Sequence, residues 1–444
     1  MTPDPGREPA ERDNRRGVIA EARGALSRAQ WVLLLILGAT AFFDGYDRSI
    51  VTLALKQIRD TFHLTQGQAS FWLSILYLGA LPALFLTRWS DRVGRRKLLL
   101  VSFVGYTVAT GATALAPSMA TFVACQFVAR CFLNAEIAIV WTMAAEELPA
   151  RARGFGFGLL GMNSALGTGF GAILFGGLLD PIGASWRVMY LVGVPPLIGI
   201  GLLRRRLPES RRFEAARRAG NLASRWHEIL RPDYRRVLVL VLGTAFLFEL
   251  TTQAGLFALD FLQTSRGLSA TAANFMLVGA GLPGIPLMVA AGALSDRFGR
   301  RAIGCVAGLL SLLGAIGFFW LPGGIPVLLP CFMAVNVGSM ASWPVLGGYA
   351  SELFPTKLRG QAGSWGAVAK VAGDSASFAL GGVLIGLTGA LPWSATILAL
   401  GPLAGIAIVW FLFPDTHGIE LEAISGEELG IEIAVDLPVA PAIP

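Results

Sequence analysis

The sequence predicts an all-α integral membrane protein whose twelve transmembrane helices form two six-helix halves. Hydrophobic residues make up 54% of the 444 residues and charged residues only 15%, a composition outside the range of soluble globular domains. Twelve apolar runs are each long enough to approach or cross a bilayer as a helix. Three sequence landmarks of the first half also return in the second half at a nearly constant spacing.

The predicted spans follow one another in a regular order. After an arginine-containing N-terminal tail at 1–29, the first half, 30–203, has spans at 30–55, 68–87, 98–117, 120–147, 154–178 and 186–203. A polar, basic linker at 204–236 favours amphipathic helices lying along a membrane surface. The second half, 237–413, has spans at 237–262, 271–293, 302–321, 325–350, 361–386 and 391–413, and an acidic tail follows at 414–444.

The distribution of basic residues predicts the orientation in the membrane. Lys and Arg crowd the N-terminal tail and the turns after spans 2, 4, 6, 8 and 10, whereas the opposite turns contain few. Cytoplasmic loops carry such an excess, so both termini are expected in the cytoplasm and the chain in the inner (plasma) membrane. The net charge of +7 is therefore an orientation signal and does not indicate a nucleic-acid surface.

Processing and cysteine patterns add little further constraint. The segment before the first apolar run is too long for the charged region of a cleavable signal peptide. The four cysteines all lie in apolar spans, and no pair has metal-ligand spacing. Neither a metal site nor a disulfide framework is expected.

The internal repeat consists of three matched landmarks. Asp91-Arg92-Val93-Gly94-Arg95-Arg96 returns 205 residues later as Asp296-Arg297-Phe298-Gly299-Arg300-Arg301. Arg153-Gly154 returns 206 residues later as Arg359-Gly360, and Pro208 of a Pro-Glu-Ser motif returns at Pro414 with the same spacing. This agreement predicts two halves related by a parallel repeat, with a substrate site between them near the bilayer midplane.

The chain resembles the major facilitator superfamily over essentially its whole length, and the resemblance implies that superfamily's fold. The paired Asp-Arg-x-Gly-Arg-Arg loops are its most specific mark. The family usually has glycine four residues before the Asp. Gly292 fits this pattern in the second half, whereas Thr87 occupies the position in the first half. In such loops a carboxylate holds a helix end and neighbouring arginines while the cytoplasmic side is closed. The expected cytoplasmic gate residues are Asp91, Arg92, Gly94, Arg95, Arg96, Asp296, Arg297, Gly299 and Arg300, with Glu146, Arg153, Glu352 and Arg359 of the adjoining turns.

The motif Asp44-Gly45-Tyr46-Asp47-Arg48 in span 1 is the strongest candidate for chemistry. Each acid costs roughly 2.5–3.5 kcal/mol at the centre of an isolated membrane helix, and intramembrane acids are functional by default. The motif resembles the sugar porters, where the aspartate matching Asp47 is the proton site, and its doubled acid is closer to the aromatic-acid:proton symporters. Asp47 and Asp44 are therefore predicted to couple to protons and Tyr46 to contact substrate. The alternative is a buried structural pair with Arg48.

Four other spans carry polar side chains where a substrate is expected. In span 4, Arg130 is a counter-charge for Asp47, and Glu136 a further proton-coupling candidate; the alternative is a structural Arg130–Glu136 contact. In span 7, Glu249 and Gln253 indicate either a binding surface or hydrogen bonds between helices. In span 11, Lys370 and Asp374 form either a self-paired (i, i+4) couple or an anchor for an anion. Span 10 adds Asn336 and Trp343, the latter to stack on a ring or to pack.

These features predict a secondary active transporter and not an enzyme, since no metalloprotease, nucleophile-elbow or P-loop motif occurs. The first hypothesis is proton-coupled symport of a small organic acid, such as an aromatic or sugar acid, by alternating access. The alternatives are a proton-coupled sugar or polyol symporter, a drug:proton antiporter, and a non-transporting membrane receptor. A monomer in lipid is expected, with the proton as coupling ion, no other cofactor and no nucleic-acid partner.

Overall fold

A computed structural model describes residues 26–204, 228–284, 287, 294, 298–354 and 358–413. The described residues form helices and contain no β-strand. The helices are α1 (Arg28–Thr61), α2 (Gln66–Leu78), α3 (Ala83–Val93), α4 (Arg95–Ala114), α5 (Met119–Glu147), α6 (Ala150–Ile173), α7 (Arg187–Arg204), α8 (Pro232–Glu249), α9 (Thr252–Thr264), α10 (Ala270–Gly281), α11 (Arg300–Trp320), α12 (Ile325–Glu352), α13 (Arg359–Thr388), α14 (Leu391–Leu398) and α15 (Leu400–Leu412). Most of the predicted tails and linker lies outside the described residues.

The helices follow the order of the predicted spans. Nine helical stretches among the described residues are long and apolar enough to cross a membrane, judged by length and composition. Three shorter apolar helices, Arg187–Gly199, Ala270–Gly281 and Ile325–Ser339, occupy the positions of spans 6, 8 and 10. This arrangement agrees with the predicted all-α membrane fold; the exact domain boundaries stay a prediction.

Local sequence explains where many of these helices begin. Ser27 and Thr65 each form a capping box with a glutamine three residues later. The Ser or Thr side chain accepts a hydrogen bond from the backbone N–H of the glutamine, and the glutamine side chain accepts one from the backbone N–H of the Ser or Thr. Gly94 and Gly299 precede α4 and α11 with φ angles of 113° and 91°. Side chains with a Cβ rarely adopt this conformation, which explains a glycine at the same place in both copies of the repeated motif.

Several spans are interrupted by short breaks. Residues 79–82 separate α2 from α3, a π-helical turn (Leu174–Leu179) continues α6, and Ala399 separates α14 from α15. A further break lies at Leu250 and Thr251, between α8 and α9. Discontinuous membrane helices commonly form substrate and ion sites in transporters, and here the break has Glu249 on one side and Thr252 on the other.

Glycines allow α1 to pack against α6 without intervening side chains. A Cβ atom at Gly45 would clash with the backbone carbonyl of Ser164, and one at Gly167 would clash with that of Phe42. Small residues permit such close helix crossings in membranes. Gly45 therefore serves the packing of the helix that carries Asp44 and Asp47.

The two halves meet mainly through three sets of contacts: α2 with α13, α1 with α9, and α10 with α6 and its π-helical turn. The Ser70 hydroxyl donates to the Phe378 carbonyl at 2.6 Å, and the Ser375 hydroxyl donates to the Ser74 carbonyl at 2.9 Å. Between α1 and α9, Arg59 forms an ion pair with Asp260 at 3.0 Å. We call the end of the bundle with the turns at 62–65 and 265–269 the closed end, because these contacts hold the halves together there.

Candidate functional site

The two acids of α1 have different surroundings. Asp44 and Asp47 are both buried, with 6% and 4% of their surface exposed. Arg48 Nε donates to Asp44 Oδ1 at 2.6 Å, and its Nη2 donates to Asn134 Oδ1 at 3.1 Å. Arg48 thus neutralises Asp44 within the same helix, as expected for the alternative of a buried structural pair. Asp47 does not form an ion pair with Arg48.

Asp47 makes no ion pair with any described residue. Tyr106 of α4 and the guanidinium of Arg130 are among the groups near its carboxylate. Its Oδ1 atom is buried without a hydrogen-bond partner among the described residues. A buried carboxylate oxygen is costly to leave unpaired, so the state of Asp47 is sensitive to any new partner.

Arg130 contacts an aromatic ring. Its guanidinium carbon lies 4.3 Å from the centroid of the Tyr77 ring, a cation–π distance. Tyr77 in turn packs on Phe378 of the second half, with ring centroids 4.7 Å apart. The part of the chain that the structure describes shows no ion pair between Arg130 and Glu136, so the alternative of a structural Arg130–Glu136 contact is not supported. Glu136 is buried, with 2% of its surface exposed.

A second charged cluster lies where α8, α9 and α13 meet. Lys370 Nζ is 2.5 Å from Glu249 Oε1 and 3.8 Å from Asp374 Oδ2. The Thr252 hydroxyl oxygen is 2.6 Å from Asp374 Oδ1 and 3.2 Å from Glu249 Oε2. The (i, i+4) couple of Lys370 and Asp374 is thus present at 3.8 Å, and Glu249 from another helix is the closer partner of the ammonium group.

A cavity of about 400 Å³ opens beside this cluster. Its walls carry the charged Glu249 and Lys370, several hydroxyl groups and a set of aromatic rings: Tyr77, Phe248, Phe318, Phe319 and Phe332. Among the described lining residues, only Thr52 and Tyr77 come from the first half. A mostly apolar cavity of this size with a few convergent polar groups is the usual form of a small-molecule site.

Three of the predicted substrate residues have other surroundings. The Tyr46 hydroxyl donates to the Met189 carbonyl at 2.6 Å inside the first half, which does not support a direct contact with substrate. Gln253 is fully buried, where its side chain bonds the hydroxyls of Ser70 and Ser394; this is the predicted alternative of hydrogen bonds between helices. Asn336 Nδ2 donates to the carbonyl of Phe332 in its own helix.

Two contacts of the site were not predicted. Tyr77 lies between Arg130 and the cavity, but a single tyrosine in an apolar span carries no sequence signal for this role. Thr252 was visible as a polar neighbour of Glu249, yet its bridge to Asp374 depends on a contact between residues 122 positions apart.

The predicted gate is described only in part. Gly94 and Gly299 take the backbone conformation given above, and Arg96 is half-buried. Asp296, Arg297 and Gly292 lie outside the described residues, as do the side chains of Asp91, Arg92, Glu146, Arg95, Arg153, Arg300, Trp343, Glu352 and Arg359. The gate assignment stays a prediction.

Apolar helical segments in two packed halves, with buried charges in both halves and a cavity beside one charged cluster, define a polytopic membrane protein with a candidate small-molecule site. The sequence profile of the Major Facilitator Superfamily matches residues 37–373, with a second match over residues 241–439. The chain belongs to this superfamily, as the repeated motifs predicted. The family assignment also confirms the expectation of a transporter and not an enzyme.

Similar proteins agree with this assignment over most of the chain. The niacin transporter NiaP of Acinetobacter baylyi is 23% identical, over 90% of this chain and 97% of its own length. A probable 4-methylmuconolactone transporter of Cupriavidus pinatubonensis is 25% identical, over 86% of this chain and 90% of its own length. The crystal structure of a D-xylose–proton symporter has a TM-score of 0.69 at 19% identity, covering 87% of this chain and 98% of the symporter. This likeness shows the fold.

Proposed function

We propose that the protein takes up a small organic acid by proton-coupled symport with alternating access. The observation that carries the proposal is the cavity. It combines aromatic walls, suited to a flat carbon skeleton, with the Lys370 ammonium, whose side chain is 43% exposed. A substrate carboxylate that enters the cavity can take the place of a protein carboxylate as the partner of the Lys370 ammonium. This charge-assisted contact compensates for the hydration that the substrate carboxylate loses.

The first half supplies the coupling in this proposal. Protonation of Asp47 from outside removes a negative charge from the neighbourhood of Arg130. The guanidinium, which lies on the Tyr77 ring at the cavity wall, then exerts more of its field on a substrate carboxylate. Proton and anion thus favour the same occluded state, and each raises the affinity for the other.

The names of the relatives support an acid as substrate. Niacin carries a carboxylate on an aromatic ring, and the second relative is named for a muconolactone, which also carries an acid group. Both relatives cover this chain nearly end to end. For the alternative, a neutral sugar or polyol, the supporting observation is the set of hydroxyl groups at Thr52, Thr251, Thr252, Ser311 and Ser339 on the cavity wall.

The orientation expected from the loop charges makes the closed end the outer one. With both termini in the cytoplasm, the turns at 62–65 and 265–269 face outwards, and the structure represents a state in which the outer ends of the halves are held together. Uptake then requires the contacts at the closed end to separate.

The test is uptake by purified protein in proteoliposomes of a bacterial membrane lipid extract, with a proton gradient, acidic outside. Aromatic acids, aliphatic acids, sugars and cationic drugs are each offered outside as labelled compounds. Accumulation of one acid, abolished by a protonophore and by Asp47→Asn but retained by Asp60→Asn, supports the proposal. Asp60 is a suitable control because it lies on the same helix with its side chain 56% exposed.

Other outcomes contradict the proposal. Accumulation of a sugar only moves the assignment to the sugar symporter. Expulsion of cationic drugs in exchange for protons replaces symport by antiport. Silence over the whole panel, with folded protein, refutes uptake of these compound classes.

A further inference from the structure

The cluster of Glu249, Thr252, Lys370 and Asp374 contains more hydrogen-bond acceptors than hydrogens to fill them. The Thr252 oxygen lies within hydrogen-bond distance of one oxygen of Asp374, at 2.6 Å, and one of Glu249, at 3.2 Å. A hydroxyl group has one hydrogen, so it donates to one acceptor only, whereas an ionised carboxylate accepts and never donates. Both contacts are hydrogen bonds only if one of the two carboxyls carries a proton.

The position of the ammonium group indicates which carboxyl is ionised. Lys370 Nζ is 2.5 Å from Glu249 but 3.8 Å from the nearest oxygen of Asp374. A charge-assisted hydrogen bond needs the shorter distance, so Glu249 is the anion of the pair. Asp374 has no comparably close cation among the described residues, and its 2.6 Å contact with Thr252 Oγ1 fits either partner as the donor.

We propose that Asp374 is a proton-binding site in the second half, in addition to the proton site proposed on α1. The Asp374 carboxyl donates to Thr252 Oγ1, and the Thr252 hydroxyl donates to Glu249 Oε2. The cluster then holds one ammonium, one carboxylate and one neutral acid, so its net charge is zero. Its burial is consistent with this count, because 8% of Asp374 is exposed and an uncompensated charge there is expensive.

The hydrogen-bonded chain offers a way to change the partner of Lys370. If both hydrogens move one step, from Asp374 to Thr252 and from Thr252 to Glu249, the number of protons is unchanged. Asp374 becomes the anion and Glu249 the neutral acid. Lys370 then loses its ionised partner at 2.5 Å and has the next one at 3.8 Å, which leaves the ammonium group more available to an anion in the cavity.

Among the described residues, the titratable groups recorded near Asp374 come from three helices. Lys370 is on its own helix, Glu249 comes from α8, and Tyr77 from α2, with Arg130 behind the tyrosine ring. The sequence of α14 contains no titratable side chain, and the acid of α9, Asp260, is paired with Arg59 at the closed end. The proton count of the cluster therefore depends on Glu249 and Lys370 before any other group.

The test is infrared spectroscopy of the full-length protein in lipid without substrate, titrated from alkaline to mildly acidic pH. A protonated carboxyl has a carbonyl band separate from that of carboxylates. We expect a band at neutral pH that is lost in Asp374→Asn and present when Glu249→Gln is combined with Lys370→Gln, which removes the ion pair as a whole and leaves a neutral Asp374 in a neutral cluster. Thr252→Val is expected to move the band to higher frequency, because the carboxyl loses its hydrogen-bond acceptor, and Thr252→Ser to restore it. Thr107→Val, which removes a span hydroxyl bonded to its own helix, is the matched control.

Three results overturn the proposal. An unchanged carboxyl band in Asp374→Asn shows that Asp374 holds no proton at neutral pH. Loss of the band in the double variant Glu249→Gln, Lys370→Gln places the proton on the other acid. A band of equal frequency in Thr252→Val and Thr107→Val shows that the threonine does not bridge the acids. The role of this proton in coupling rests on the proposed symport, but the spectra need no substrate, so a failure of the symport proposal leaves this result readable.

Discussion

The ion pair between Arg59 and Asp260 should determine how often the closed end opens. The two side chains are 11% and 0% exposed, and Gln66 also donates to Asp260 at 2.6 Å. Removing one partner of a buried pair costs about 3–5 kcal/mol, because the other charge stays buried. Arg59 retains some contact with solvent, so we take the lower figure for Asp260→Asn. About 3 kcal/mol corresponds to roughly a 100-fold shift towards states with this end open.

Spin labels on the two halves measure this shift directly. Leu115 and Leu387 lie at the closed end on different halves, and both side chains are more than three-quarters exposed. With the four native cysteines replaced, nitroxides at these two positions report the separation of the halves by double electron–electron resonance. The wild type should show a short distance, and Asp260→Asn a large added population at a longer one.

Two variants test the reasoning behind the magnitude. Lys56→Gln breaks an exposed ion pair with Asp60 on the same helix, and exposed pairs contribute little, so its distances should match the wild type. Arg59→Gln combined with Asp260→Asn leaves no buried charge unpaired and should recover most of the short distance. The reasoning fails if Asp260→Asn gives the wild-type distribution, or if Lys56→Gln shifts it as much.

Three stability predictions use thermal unfolding of purified protein in detergent. Gly45→Ala places a methyl group against the Ser164 carbonyl and should lower the unfolding temperature by several degrees. The control Gly158→Ala should leave the unfolding temperature unchanged, because no atom lies within 4 Å of its Cβ position. Equal effects of the two substitutions would contradict the packing argument. Tyr46→Phe should cost about 1 kcal/mol with unchanged KM, whereas a raised KM would restore Tyr46 as a substrate contact. Gln253→Leu removes two buried side-chain hydrogen bonds and should cost about 1–2 kcal/mol; no loss would show that the network is dispensable.

The fold was predictable because its signals are local. Apolar length fixes each span, and the repeated Gly94 and Gly299 mark a backbone conformation that residues with a Cβ avoid. The breaks inside spans were less accessible. The interruption between α8 and α9 has no proline or glycine at Leu250 and Thr251, so it depends on the surrounding packing and not on a local breaker.

The site was predictable as a set of residue types but not as a set of contacts. The sequence offers Lys370 a carboxylate one turn away, at Asp374, yet the packing of α8 on α13 brings Glu249 closer. Likewise the sequence suggests Asp47 or Glu136 as partners of Arg130, and the structure places its guanidinium on the ring of Tyr77. Which partner a charged side chain binds depends on differences of about an ångström in the distances to competing groups. Those distances depend on how segments far apart in sequence pack together.

The cavity draws nearly all of its lining from the second half, while Asp44, Asp47 and Arg130 belong to the first. The proposed cargo surface is therefore separate from the acids of α1, although the proton site proposed at Asp374 adjoins it. On these proposals, mutations of the aromatic wall around Phe318 and Phe332 should change cargo preference and leave Asp44 and Asp47 untouched. In a scaffold divided in this way, the substrate range can change during evolution while the proposed α1 proton-coupling residues stay the same.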